Sequence, residues 1–271
     1  MARTGPDAVS ARLYVAATDA RAWRPGDEFG LPAAAARHVQ VLRLQPGSAL
    51  TLFNGHGGQW QAEVLYMGRQ AVEVRLIGHE AVERELPVAV TLAICMPAND
   101  RMDDLVEKAT ELGAAAIVPL VSERSVLRLS GERAAKRQAH WQAVAVAASE
   151  QCGRNRVMQV LAVQGLEAFL ADDQAPNGGG GTRWQLSLAA QALPLGQTCG
   201  GSSRMSLEEV GAHICLLSGP EGGLSPGEQA RAQQAGYAPV SLGPRTLRAD
   251  TAPLGALAVI GACMAPPKEL P

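Results

Sequence analysis

The hydrophobic pattern changes character close to residue 85. From Arg12 to about Arg84, apolar residues come in short β-branched or alternating segments separated by Pro and Gly turns: Leu13-Tyr14-Val15, Ala49 to Phe53, Trp60 to Leu65 and Ala71 to Leu76. Successive side chains of a strand point to opposite faces, so this spacing predicts a small antiparallel β-barrel, with Pro32 to Val41 as its one short helix. After an acidic, proline-punctuated stretch, His79 to Pro87, comes the continuous apolar run Val88 to Cys95. Such a run predicts a strand covered on both faces, hence an α/β region with helices packed on its sheet. The chain therefore reads as two domains, 1–84 and 85–271.

The second region alternates. Asp100 to Leu112 reads as a helix ended by Gly113, Ala114 to Leu120 as a strand, and Ala134 to Gln151 as a long Ala-rich helix stopped at Gly153. Trp184 to Ala190 and Ile214 to Ser218 read as further strands. Ser225-Pro226-Gly227-Glu228 combines a cap residue, a first-turn proline and an acid placed to bond back, which predicts a helix from Pro226 toward Ala235. Pro239 to Leu242 is the last strand, and Asp250 or Thr251 caps a final helix through Met264. Two segments rich in Gly and Ser, Gln174 to Thr182 and Gln197 to Ser206, read as surface excursions. The glycine run 178–181 precedes a strand and lacks the spacing of a nucleotide loop.

Composition excludes several classes. At 271 residues and 47% hydrophobic, the chain has material for a core in each domain. A formal charge of −2 gives no overall electrostatic case for nucleic acid, although Glu123 to Arg156 holds seven Lys or Arg against three acids. That segment is either a basic face or an ordinary solvated helix surface. The five cysteines are scattered, with no Cys-x-x-Cys pair and no histidine at ligand spacing, so neither a metal site nor a disulfide framework is expected. Residues 1–10 lack an apolar leader core and no apolar stretch approaches ~18 residues, so a cytoplasmic protein is expected.

Polar chemistry gathers at two glycine-proline elbows, Ser218-Gly219-Pro220-Glu221-Gly222-Gly223 and Leu242-Gly243-Pro244-Arg245-Thr246-Leu247-Arg248-Ala249-Asp250. Each follows an apolar run and precedes a helix, where free backbone N–H groups and missing Cβ atoms let a small ligand be held by main chain. Glu221, Arg245, Arg248 and Asp250 are more than such turns need. Arginines at converging turns fit the holding of an anionic or electron-rich group; an Arg248–Asp250 or Arg–Glu221 staple is the structural alternative. Upstream, Glu111 and Glu123 are carboxylates that either fix Arg124 or Arg154 in a polar network or are solvated, and Arg154 follows the end of the long helix, where a cation complements the carbonyl dipoles.

In combination and order, these motifs resemble the RsmE-type family of small-subunit ribosomal RNA uridine-N3 methyltransferases, members of the SPOUT superfamily. The residues that carry the resemblance are His38-Val39-Gln40-Val41-Leu42-Arg43, Phe53-Asn54-Gly55, Lys108 to Gly113, Ser122 to Val126, Glu150 to Arg154 and both elbows. One departure is Ala249-Asp250-Thr251-Ala252, where the family usually has Thr-Glu-Thr-Ala. The resemblance implies a PUA-like RNA-binding barrel, then a trefoil-knotted α/β domain that binds S-adenosylmethionine and works as a homodimer on 16S ribosomal RNA of the assembled small subunit. It places Leu188, Leu217, Gly219, Glu221, Gly222, Leu242, Gly243, Arg245, Thr246 and Leu247 on the cofactor. Arg248 is then the donor that stabilises charge on the base, Glu221 the candidate proton acceptor, and Arg43, Arg124 and Arg154 the contacts to RNA. Two other readings remain: a non-catalytic RNA-binding ribosome-assembly factor, and a sibling methyltransferase acting on transfer RNA or ribose.

Overall fold

The computed structural model describes residues 11–16, 23–69, 71–98, 101–172, 181–200 and 213–264. The glycine-rich excursions fall mostly outside these residues. The described chain divides into two units, 1–84 together with 149–157, and 85–148 together with 158–271.

In the first unit, strands β1 (Ala11–Tyr14), β2 (Glu28–Gly30), β3 (Ala49–Phe53), β4 (Gln59–Met67) and β5 (Val72–Glu80) form one sheet in the order β1-β3-β4-β5-β2. Alternation is the cause. Leu50, Leu52, Ala62, Val64, Val72, Val74 and Leu76 are buried together, and helix α1 (Ala33–Val41) adds Ala35, Ala36 and Val39 to the same core. One pairing departs from the antiparallel expectation, since β1 runs parallel to β3. The long connection between them, through β2 and α1, is what a parallel pair requires.

Residues 149–157 belong to this unit because their polar groups are met there. The Tyr14 N–H donates to Glu150 Oε1 at 2.8 Å, and the Arg12 guanidinium, stacked 4.3 Å over the Phe53 ring, donates to the Arg154 carbonyl at 2.7 Å and to Asn155 Oδ1. Burial pushes the Glu150 carboxyl above its ordinary range, against the opposing pull of the Tyr14 N–H, His38 and Arg12.

The second unit is built on parallel strands. These are β6 (Ala89–Cys95), β7 (Ala116–Val121), β8 (Gln159–Val160), β9 (Gln164–Gly165), β10 (Thr182–Leu186), β11 (Leu193–Pro194), β12 (His213–Ser218) and β13 (Ala238–Ser241). Their order is β11-β13-β10-β12-β6-β7-β8, with β9 also beside β7. As the apolar run implied, β6 is buried along almost its whole length. The helices are α2 (Arg101–Glu111), α3 (Gly131–Cys152), α4 (Leu166–Ala171), α5 (Leu195–Gly200), α6 (Pro226–Gln234) and α7 (Thr251–Met264). The last turn of α3 already lies in residues 149–157. The short elements β8, β9, α4, β11 and α5 carry too few residues for a period to show in sequence. Among the described residues, no helix is long and apolar enough to cross a membrane.

Two packing features have measurable consequences. Burial lowers the pKa of His213, whose Nε2 lies 2.9 Å from the Thr91 hydroxyl. A histidine held neutral in the native state stabilises fully above its unfolded pKa of about 6.5, and that stability is lost as pH falls through the lower native pKa. Melting temperature should therefore fall as pH drops from 7 toward 5, and His213→Gln should flatten the slope. Calorimetric melts across that range check this.

The second feature is the start of α6. Ser225 Oγ accepts from the Glu228 N–H at 3.3 Å, and Glu228 Oε2 accepts from the Ser225 N–H at 2.8 Å, completing the capping box read from sequence. Glu228 is only 4% exposed, and its other oxygen accepts from the Glu123 N–H at 2.7 Å. Glu228→Ala takes the acceptor from one buried N–H group, that of Ser225, and from the part-buried N–H of Glu123. The expected cost is about 2–4 kcal/mol, read as a Tm lower by roughly 4–12 °C.

Candidate active site

Strand β10 lies between β12 and β13, with Gln185 in register with Leu217 on one side and Pro239 on the other. Because β12 and β13 run parallel to β10, both elbows leave the same edge of the sheet. They enclose a cavity of about 540 Å³ with the loop that follows β10. That volume suits a ligand of cofactor size.

The first elbow is a tight turn in which the Gly223 N–H donates to the Pro220 carbonyl at 2.8 Å. It is pinned from outside at two points. Glu221 Oε1 accepts from the Ala98 N–H at 2.9 Å, and Arg124 donates to the Gly222 carbonyl at 2.8 Å. A Cβ at Gly219 would lie 3.1 Å from the Leu224 nitrogen and 3.3 Å from the Gly223 carbonyl carbon, so close that the turn would have to give by a few tenths of an ångström. In the second elbow Gly243 has φ 103°, a left-handed value that a side chain would resist, and its N–H donates to Ser241 Oγ at 3.1 Å.

Most of the expected cofactor residues line this one cavity: Leu188, Gly219, Glu221, Gly222, Leu242, Gly243, Arg245, Thr246 and Leu247. Arg124, expected on RNA, lines it as well. Leu217 does not, since it is fully buried in the core against Ala93, Cys95 and Leu224, and its successor Ser218 lines the cavity instead. Arg248 is exposed and is not among the lining residues, although its neighbours Leu247 and Ala249 are.

Among the described residues, neither stapling ion pair is found. Asp250 meets Arg101 at 3.5 Å, and Glu221 meets the Ala98 backbone. Glu111 is engaged by Lys108 at 3.0 Å instead of holding Arg124 or Arg154. Arg154 is 3% exposed inside the first unit, whereas Arg43 is exposed in a turn with φ 54° after α1. The sequence reading passed over Gln185, Ser187 and Arg101. Gln185 gave no signal of its own, because Thr182, Arg183 and Ser187 in and beside β10 are polar as well.

Residues 84–261 match the model of the RNA methyltransferase domain, and residues 31–77 match that of the RNA methyltransferase PUA domain. The chain is 30% identical over 224 residues to ribosomal RNA small subunit methyltransferase E of Bacillus subtilis, covering 82% of this chain and 84% of that protein. With the protein of the same name from Synechocystis it shares 33% identity over 83% of this chain and 69% of the relative. The chain belongs to the RsmE-type ribosomal RNA methyltransferase family. Among solved structures, ribosomal RNA small subunit methyltransferase E from Neisseria gonorrhoeae, bound to S-adenosyl methionine, superposes with a TM-score of 0.81 at 33% identity, over 93% of this chain and 97% of that one. A methyltransferase from Legionella pneumophila in complex with the same cofactor also gives 0.81, at 31% identity and with the same coverage. The two family models together span residues of both units.

Proposed function

We propose that this RsmE-type methyltransferase transfers a methyl group from S-adenosylmethionine to N3 of a specific uridine in 16S ribosomal RNA, acting on the assembled small subunit. The observation that carries this reading is the meeting of both glycine elbows in a single cavity. The residues present fit the cofactor. Gly219, Gly222 and Gly243 bring bare main chain to the cavity wall, and the buried Gln185 Oε1 lines the same cavity without a partner. Leu188, Gly219, Gly222, Leu242, Gly243, Arg245, Thr246 and Leu247 would hold it. When bound, the cofactor supplies an electrophilic methyl group on a sulfonium centre.

The chain's own residues set up the rest. Fixed elbows orient the reactants for an in-line approach, which supplies much of the rate. The uracil N3–H is a weak acid, so negative charge grows on the flanking carbonyl oxygens. Arg248, exposed beside the cavity, stabilises that charge. Glu221, or a water it holds, takes the proton with the oxygen that Ala98 leaves free. Arg124 at the cavity and Arg43 on the first unit contact the RNA, whose target base must leave its stack to react. Residues 1–84 form the RNA-binding domain, a PUA-like barrel. The C-terminal part of residues 85–271 is threaded as a trefoil knot, and the enzyme works as a cytoplasmic homodimer.

The test is incubation of purified protein and labelled S-adenosylmethionine with small subunits from a strain lacking the enzyme, followed by nucleoside analysis. Label should appear as 3-methyluridine. Ribose methylation, or no incorporation, would overturn the reading.

A further inference from the structure

Gln185 sits at the floor of the cavity with an unmet need. It is 4% exposed, lines the cavity, and its Oε1 is buried without a hydrogen-bond partner. Its in-register neighbours Leu217 and Pro239 offer no side-chain donor. A buried carbonyl oxygen left without a donor destabilises the protein, and such an atom in a binding cavity calls for a ligand that brings one. Beside that oxygen the same carboxamide carries an NH₂ donor. An adjacent acceptor and donor match an adenine edge, where the exocyclic N6–H₂ donates and a ring nitrogen accepts, the pairing glutamine makes with adenine elsewhere.

We propose that Gln185 reads the adenine of the bound cofactor, with Oε1 accepting from N6–H₂ and Nε2 donating to N7. The proposal rests on the methyltransferase reading of the cavity. A uracil edge offers a similar donor and acceptor, but its donor is N3–H, the position to be methylated, and an amide bonded there would block the approach of the methyl group. Gln185 also lies down among the strands, whereas Arg124 and Arg248, which suit incoming RNA, are exposed. The floor therefore belongs to the cofactor base.

Isothermal calorimetry with S-adenosylhomocysteine and its hypoxanthine counterpart, S-inosylhomocysteine, tests this on the intact protein. Along the edge where adenine presents N6–H₂ and N7, hypoxanthine presents two acceptors, O6 and N7, so neither orientation of the amide satisfies both and the wild type should prefer adenine by about tenfold or more. Gln185→Leu should bind S-adenosylhomocysteine about tenfold more weakly and bring the two ligands within about threefold of each other. Its ligand-free melting temperature should match or exceed that of the wild type, because the unmet acceptor is gone. Equal wild-type affinities, or a Gln185→Leu protein that keeps the preference, would overturn the role of Gln185 and leave the methyltransferase reading standing. If the wild type bound neither ligand, the reading of the cavity would itself fall, and this inference with it. The wild-type comparison decides even where Gln185→Leu does not fold, and Gln185→Met then serves as the variant.

Discussion

Arg248→Ala should lower methyl-transfer turnover by ~100-fold or more while leaving affinity for S-adenosylmethionine within about tenfold, the scale of losing one preorganised donor to a developing oxyanion. The geometry supports this split. Arg248 is exposed and is not among the residues that line the cavity, so removing its side chain subtracts little from cofactor contact. Nor is it a staple, because Asp250 is occupied by Arg101. The melting temperature should therefore hold. Single-turnover kinetics with calorimetry on the same preparation separates the two effects, and near-normal turnover would remove Arg248 from the mechanism. Lysine at this position should restore only part of the rate, since a point charge does not reproduce a planar two-pronged donor.

Gly219→Val should show the opposite signature, a loss in binding before chemistry. A Cβ there would stand 3.1 Å from the Leu224 nitrogen and 3.3 Å from the Gly223 carbonyl carbon, and both are backbone atoms fixed by the turn. Valine adds two further carbons. The elbow must shift, at a cost of about 1–3 kcal/mol. If that shift spoils the cradle, affinity for S-adenosylmethionine falls roughly 10- to 100-fold. Gly219 does not have a left-handed φ, so the effect would come from lost space and not from backbone strain. Unchanged affinity in Gly219→Val would mean that the cofactor does not lie against this elbow.

What was legible in the sequence follows from which physical signals are local. The buried strand β6, the capped helix α6 and the elbows each announce themselves within about ten residues, through burial on both faces, reciprocal side-chain bonds and missing Cβ atoms. Partners far along the chain leave no such trace. Nothing in the alternation of Leu13 or Leu52 says that their strands run parallel, and nothing around Asp250 points to Arg101. Residues 149–157, where the sequence shows only the end of the helix read to Gln151 and its stop at Gly153, fall by position in the second region; the bonds from Tyr14 and Arg12 that tie them to the first unit lie more than a hundred positions away. At the site, motifs found the turns. The face that each strand-end residue presents is less legible, for Leu217 is buried in the core and its successor Ser218 lines the cavity.

Cysteine behaviour should follow the same packing. Burial pushes the Cys95 thiol up to about 12, against the opposing hydrogen bond with Ser122, so it stays protonated through the neutral range. Iodoacetamide at pH 8 should label it only after unfolding, which peptide mapping of native and denatured samples would show.

The strands that carry the two elbows never touch each other as neighbours, for β10, which comes earlier in the chain, is wedged between them. Its partner β12 is in turn aligned on β6, more than a hundred residues upstream. A peptide beginning at His213 would own both turns in full and yet have no receptacle, because the spacer that sets their separation would be missing. Assembly of the receptacle accordingly waits on closures of long chain segments, the slow class of folding event, so the capacity to capture a ligand should arrive late in refolding and all at once.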